Sequence, residues 1–131
     1  MSLVLLGVLI ASTSQAADER LLGEWQWTGK QWSGRFVVTD VSDDGLLLGR
    51  FEDDRSYLRG NFKGVLEGNR VGFLKDVRVA VFRGTQLWIG DLVESPPEGL
   101  RIVGFWRFQK TPPGADPNLW NPFQARKVGG R

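Results

Sequence analysis

The chain contains neither cysteine nor histidine, so any chemistry must come from carboxylates, amines, guanidinium groups, hydroxyls and aromatic faces. Thiol nucleophiles, Ser-His-Asp triads and the usual cysteine or imidazole metal sets are excluded. A carboxylate acid/base site would draw on Glu24, Asp40 and Asp91 with Tyr57 and neighbouring arginines. No spacing brings these groups together, and the expectation is a protein that is not an enzyme. Asp43-Asp44-Gly45 and Glu52-Asp53-Asp54 lack the alternating oxygen donors of a calcium loop and read as solvated turns. No metal and no cofactor are expected.

Aromatic side chains are the better binding candidates. Trp27, Phe62, Trp88 and Trp106 sit in segments of strand character, where they would line one end of a barrel and stack on a flat apolar ligand. The alternative is that they fill the interior of a small barrel, as side chains do at about eight strands. Trp88 alternates with Leu87 and Ile89, so it faces either inward or outward, and they take the other side. Arg35, Arg50, Arg59, Arg70, Arg78, Arg83, Arg101 and Arg107 recur along the chain with acids between them. With a net charge of +2 this reads as a mixed, solvated surface. A basic belt for anionic glycans, lipid headgroups or nucleic acid is the alternative, and no nucleic-acid partner is expected.

The elements that must position these residues are short and extended. Strands are expected at about Leu22–Thr28, Arg35–Val41, Leu46–Glu52, Tyr57–Leu66, Arg70–Leu74, Val77–Phe82, Gln86–Val93 and Leu100–Phe108. In the first, Trp25 and Trp27 share a face. In the last, Leu100, Ile102, Gly104, Trp106 and Phe108 share one. Ser42-Asp43-Asp44-Gly45 and Glu67-Gly68-Asn69 are hairpin turns, Lys75-Asp76 is a turn or bulge, and Ser95-Pro96-Pro97-Glu98-Gly99 is a loop. No amphipathic helix of useful length is found. The expected fold is all-β: a single antiparallel up-and-down barrel of about eight strands, with a two-sheet sandwich as the alternative.

The ends read differently. Leu3 to Ala11 is apolar but too short for a membrane span, and Ser14 and Ala16 suit cleavage after Ala16. Residues 1–16 are therefore expected to be a signal peptide, although no basic residue precedes Leu3. Residues 17–109 form the barrel domain. Residues 110–131 are expected to be a Pro-rich, partly disordered extension in which Trp120 and Phe123 either dock on a partner or lie across a barrel end.

Gly23-x-Trp25 on the first strand resembles the G-x-W opening of lipocalins and other calycins. From Gly23 to Phe108 the rhythm is similar to that of avidins: a strand pair ends in Gly49-Arg50-Phe51, and a tryptophan, Trp106, stands in a late strand. The resemblance covers about two thirds of the chain. It implies that an arginine from the last strand, Arg101 or Arg107, packs on Trp25. It does not extend to biotin: Trp27 stands near where avidins have an asparagine, and the middle strands lack the hydroxyl and amide partners that a buried polar ligand requires. Avidin-like barrels associate face to face, which implies a homo-oligomer contact through Val103 and Phe105.

Together these readings point to an exported protein, periplasmic or secreted. Its expected role is to hold a small apolar or amphiphilic ligand in the barrel without catalysis. The alternative is an interaction module acting through its Arg-rich surface or its aromatic tail.

Overall fold

In a computed structural model of the chain, eight strands follow one another in sequence order and close into a barrel, each antiparallel to the next. The structure describes residues 19–54, 58–79, 82–97, 99–110, 114, 116 and 118–129; the leader segment 1–16 and Tyr57 lie outside them. The strands are β1 (Gly23–Gly29), β2 (Ser33–Val41), β3 (Leu46–Asp53), β4 (Arg59–Glu67), β5 (Arg70–Val79), β6 (Phe82–Ser95), β7 (Gly99–Lys110) and β8 (Asn121–Gly129). Because β1 pairs with both β2 and β8, the sheet has no free edge, and the two-sheet sandwich is ruled out. Among the described residues no helix is long and apolar enough to cross a membrane.

The expected number of strands is met by a different partition. Arg70–Leu74 and the start of the next segment are one strand, β5, and Lys75-Asp76 is strand interior rather than a turn. Lys75 has the same parity as Val71, Phe73 and Val77, and all four point inward. The segment expected to be the last strand is β7. The true eighth strand lies in the tail, which is not an appendage: Phe123 to Gly129 pair with β1, and Asn121 to Arg126 pair with β7. The barrel therefore runs to Gly129, past the expected boundary at residue 109. Both expected hairpins form. Ser42 Oγ accepts the Leu46 N–H at 2.9 Å, and Gly45 and Gly68 take φ of 84° and 62°, which glycine adopts without strain.

One end of the barrel is closed by a 3₁₀ turn, Glu19–Leu21. Leu21 and Trp25 are fully buried there, and the Trp25 indole N–H donates to the Leu21 carbonyl at 2.9 Å. The basic residue opposite Trp25 on the last strand is Lys127, its register partner on β8, whose Nζ donates to the Arg20 carbonyl at 2.9 Å. Neither Arg101 nor Arg107 takes that place. Arg101 pairs with Arg126 on β8, and the Arg107 guanidinium lies 5.1 Å from the ring centre of Trp120. Above Trp25 the interior is a column of rings. Phe36 stacks on Trp25 at 5.8 Å and meets Phe62 and Phe73, and Phe73 stacks on Trp88 at 5.6 Å.

Candidate functional site

Inward positions near the end opposite the 3₁₀ turn carry the most unusual chemistry of the described residues. Asp53 ends β3, Lys75 is the sixth residue of β5, and Gln86 lies on β6; all three are buried. Lys75 Nζ donates to both Asp53 oxygens at 3.1 Å. Its remaining surroundings are aromatic: Phe51, Trp88 and Trp27 ring centres lie 4.2, 4.4 and 5.2 Å from Nζ. The Trp88 indole N–H donates to Gln86 Oε1 at 3.1 Å. Gly34 makes room for this arrangement. A Cβ there would lie 2.7 Å from Trp27 Nε1 and 2.8 Å from Asp53 Oδ1, so only glycine lets both approach β2.

This is an ammonium ion held in an aromatic cage by its own carboxylate. The ion pair fills space that an open barrel would leave for a ligand. Desolvation dominates its electrostatics. Burial pulls the Lys75 amine down to about 8 against the opposing attraction of Asp53, and burial likewise raises the Asp53 carboxyl against the opposing attraction of Lys75.

A pH dependence follows. The unfolded chain keeps the lysine proton up to its ordinary value of 10.5, whereas the folded chain begins to lose it near 8. Between these values the unfolded state binds more protons, so the unfolding free energy should rise with pH. The neutral amine still donates to Asp53. At acid pH the sign reverses: the folded chain holds the Asp53 proton above the ordinary 3.8, so stability falls as pH rises through that window. Urea midpoints measured from pH 7.5 to pH 10 should therefore rise in the wild type by more than in Lys75→Met.

The residues expected to bind a ligand lie in this packed interior. Trp27, Phe62, Trp88 and Trp106 are all buried. Trp88 faces inward and is the hub: it meets Trp27, Trp106 and Phe123 at 4.9, 5.5 and 4.6 Å. Phe62 is joined to this group through Phe73 rather than directly. Of the two tail aromatics, Phe123 is 3% exposed and belongs to the core, so it is not available to a partner, whereas Trp120 is 43% exposed. The acid/base candidates do not converge. Asp40 and Asp91 are exposed, Glu24 alternates with the inward tryptophans, and Asp91 pairs with Arg70 at 3.2 Å.

The outer wall presents the second candidate. Strand register places Leu46, Val65, Gly72, Ile89, Phe105 and Pro122 in one continuous rung across six strands. The next rung is Leu48, Lys63, Leu74, Leu87 and Arg107. Leu46, Leu48 and Phe105 are each 53% exposed. Polar residues border this band on β3–β6: Glu67, Arg70 and Asp91 on one side, in a rung that continues to Val103 on β7, and Arg50, Asn61 and Asp76 on the other. A groove of about 450 Å³ runs between Leu46, Leu48, Val65, Leu74 and Leu87. A second groove of about 440 Å³ lies between Ile89, Phe105 and Trp120. Sequence reasoning picks out Phe105 and, at the border of the band, Val103 and Trp120; it leaves Leu87 and Ile89 open as outward residues and misses Leu46, Leu48, Val65 and Leu74. The band's signal is the apolar residues at outward parity on β3, β4 and β6.

No family model matches the chain, and neither a curated protein nor a solved structure matches it.

Proposed function

We propose that this protein is an exported, non-enzymatic interaction module of calycin-like build that docks a partner protein on the outer band of β3–β8. The observation that carries the reading is the contrast between the two faces of the wall. The interior is filled by its own rings and by the Lys75–Asp53 pair, while outside an apolar strip two rungs tall is exposed within a polar rim. An apolar centre within a polar rim is the anatomy of a protein interface. The partner's chemistry follows from the charges in the strip. Lys63 and Arg107 stand inside it, and on β3–β8 the two rungs hold no carboxylate, Asp40 of β2 adjoining the strip beside Leu48. The surface that fits is an apolar segment flanked by acidic side chains. A lipid bilayer fits poorly, because two rungs fall far short of the roughly 25 Å apolar band of a membrane barrel. The run Leu3–Ala11 followed by Ser14 and Ala16 supports export to the periplasm or beyond.

The alternative, a small amphiphilic ligand at the barrel mouth, retains one supporting observation. The Trp27 indole N–H is buried beside Asp53 without a hydrogen bond of good geometry.

Site-specific photo-crosslinking in the producing cells tests the docking surface. A benzophenone side chain at Leu48 should crosslink to another protein, and Phe105→Glu should abolish that product. The same probe at Gln26, on the polar wall of β1, should give none. Equal products at Leu48 and Gln26, or none at either, would overturn the reading. A product with twice the chain's own mass would replace the foreign partner with a second copy.

A further inference from the structure

The barrel wall has a notch. The β4–β5 register runs from Glu67↔Arg70 to Phe62↔Lys75 and stops there. Beyond that point Arg59, Gly60 and Asn61 stay with β3, while Asp76 to Val79 stay with β6. The ladder ends there, although Gly60 still lies close to the Asp76 carbonyl, and a cleft of about 630 Å³ opens at the rim, lined by Arg59, Asp76, Arg78, Arg83 and Thr85.

Three arginines on three strands line this cleft. Arg78 and Arg83 are direct cross-strand partners, both exposed. Like charges in that relation repel, with Cβ atoms about 5 Å apart. Among the described residues neither has an ion pair. Glu52 is the register partner of Arg59 without closing to an ion pair, and the Asp76 carboxylate accepts from Thr85 Oγ1 at 3.5 Å. Among the described residues the lining of the cleft thus holds three cations and one carboxylate, with Glu52 beside Arg59.

We infer that this notch is a binding site for a phosphate or sulfate ester group of a soluble ligand. A guanidinium presents a rigid fork of N–H donors that matches two oxygens of such a group. Two forks facing across adjacent strands, with a third from β4, surround a tetrahedral oxyanion on three sides. The anion relieves the Arg78–Arg83 repulsion that the free protein sustains. The site is separate from the apolar band and stands whether or not that band docks a partner.

Calorimetric titration with inorganic pyrophosphate and with inorganic sulfate, at low ionic strength, tests the site. The expected result is 1:1 binding of at least one of them, weakened about tenfold by Arg78→Gln and by Arg83→Gln. Arg126→Gln, an exposed position on β8 four strands away from Arg59, should leave binding unchanged. In buffer free of multivalent anions, Arg83→Gln should melt no lower than the wild type, because a repulsion is removed; circular dichroism reports the fold independently. Absence of binding up to millimolar anion, or an equal loss in Arg126→Gln, would overturn the inference.

Discussion

Replacing Lys75 with methionine should lower the unfolding free energy by about 3–5 kcal/mol near neutral pH, the range for removing one partner of a buried ion pair. Methionine matches the lysine stem in length and flexibility, so the loss is mainly electrostatic. Asp53 is 6% exposed, and Lys75 Nζ contacts both of its oxygens. Without that cation the carboxylate must either stay charged in an aromatic surround or take up a proton. Its pKa, already raised by burial in the wild type, should rise further. The penalty should therefore shrink as pH falls to where Asp53 is protonated. Adding Asp53→Asn to Lys75→Met should recover more than half of the lost stability, since no charge is then buried. Urea denaturation of the single and double variants at pH 5 and pH 8 measures this. A single variant within about 1 kcal/mol of wild type at pH 8 would mean that the pair is solvated.

Trp88→Ala should cost a similar amount, about 3–5 kcal/mol, as a large buried aromatic does. Trp88 is 1% exposed, and its ring meets those of Trp27, Phe73, Trp106 and Phe123. Its removal also leaves Gln86 without its indole donor and Lys75 without one wall of its cage. The vacated space is lined mainly by rings, so it should stay largely dry and accept an aromatic guest. Indole added to the variant should raise its melting temperature and leave that of the wild type unchanged. By contrast, Trp120→Ala should change stability by less than about 1 kcal/mol, since its ring is largely on the surface. Thermal melts with and without indole give all three results.

Much of the barrel was legible because its strands alternate. Leu58, Phe62 and Leu66, or Ile102, Trp106 and Phe108, mark an inward face directly, and the turns at Gly45 and Gly68 carry their own signature. The last strand was hidden because its inward positions are Phe123, Ala125 and Lys127. Only one of these is a large apolar residue, and Pro122 stands beside it where a proline ordinarily argues against a strand. Lys127 has inward parity but is only half-buried, and it donates to the Arg20 carbonyl, a contact 107 positions away that no local pattern shows. The ion pair was missed for a related reason. Asp53 lies in an acidic run that reads as a turn, and Lys75 precedes an aspartate that suggests the same. Parity was the available signal: Asp53 falls in step with Leu47 and Phe51, and Lys75 with Val71, Phe73 and Val77. A charge at an inward position demands a partner at another inward position, and closure of the barrel supplies it. The apolar band depends on strand register, which only the closed fold defines.

The most direct test of a filled interior with function on the outer wall is native mass spectrometry of the protein purified from the cells that make it. The account predicts that the barrel carries no small-molecule adduct, and that any heavier species contains protein and is lost in Phe105→Glu. A stoichiometric small-molecule adduct that survives Phe105→Glu and is lost in Trp106→Ala would contradict it, and would place the ligand inside the barrel.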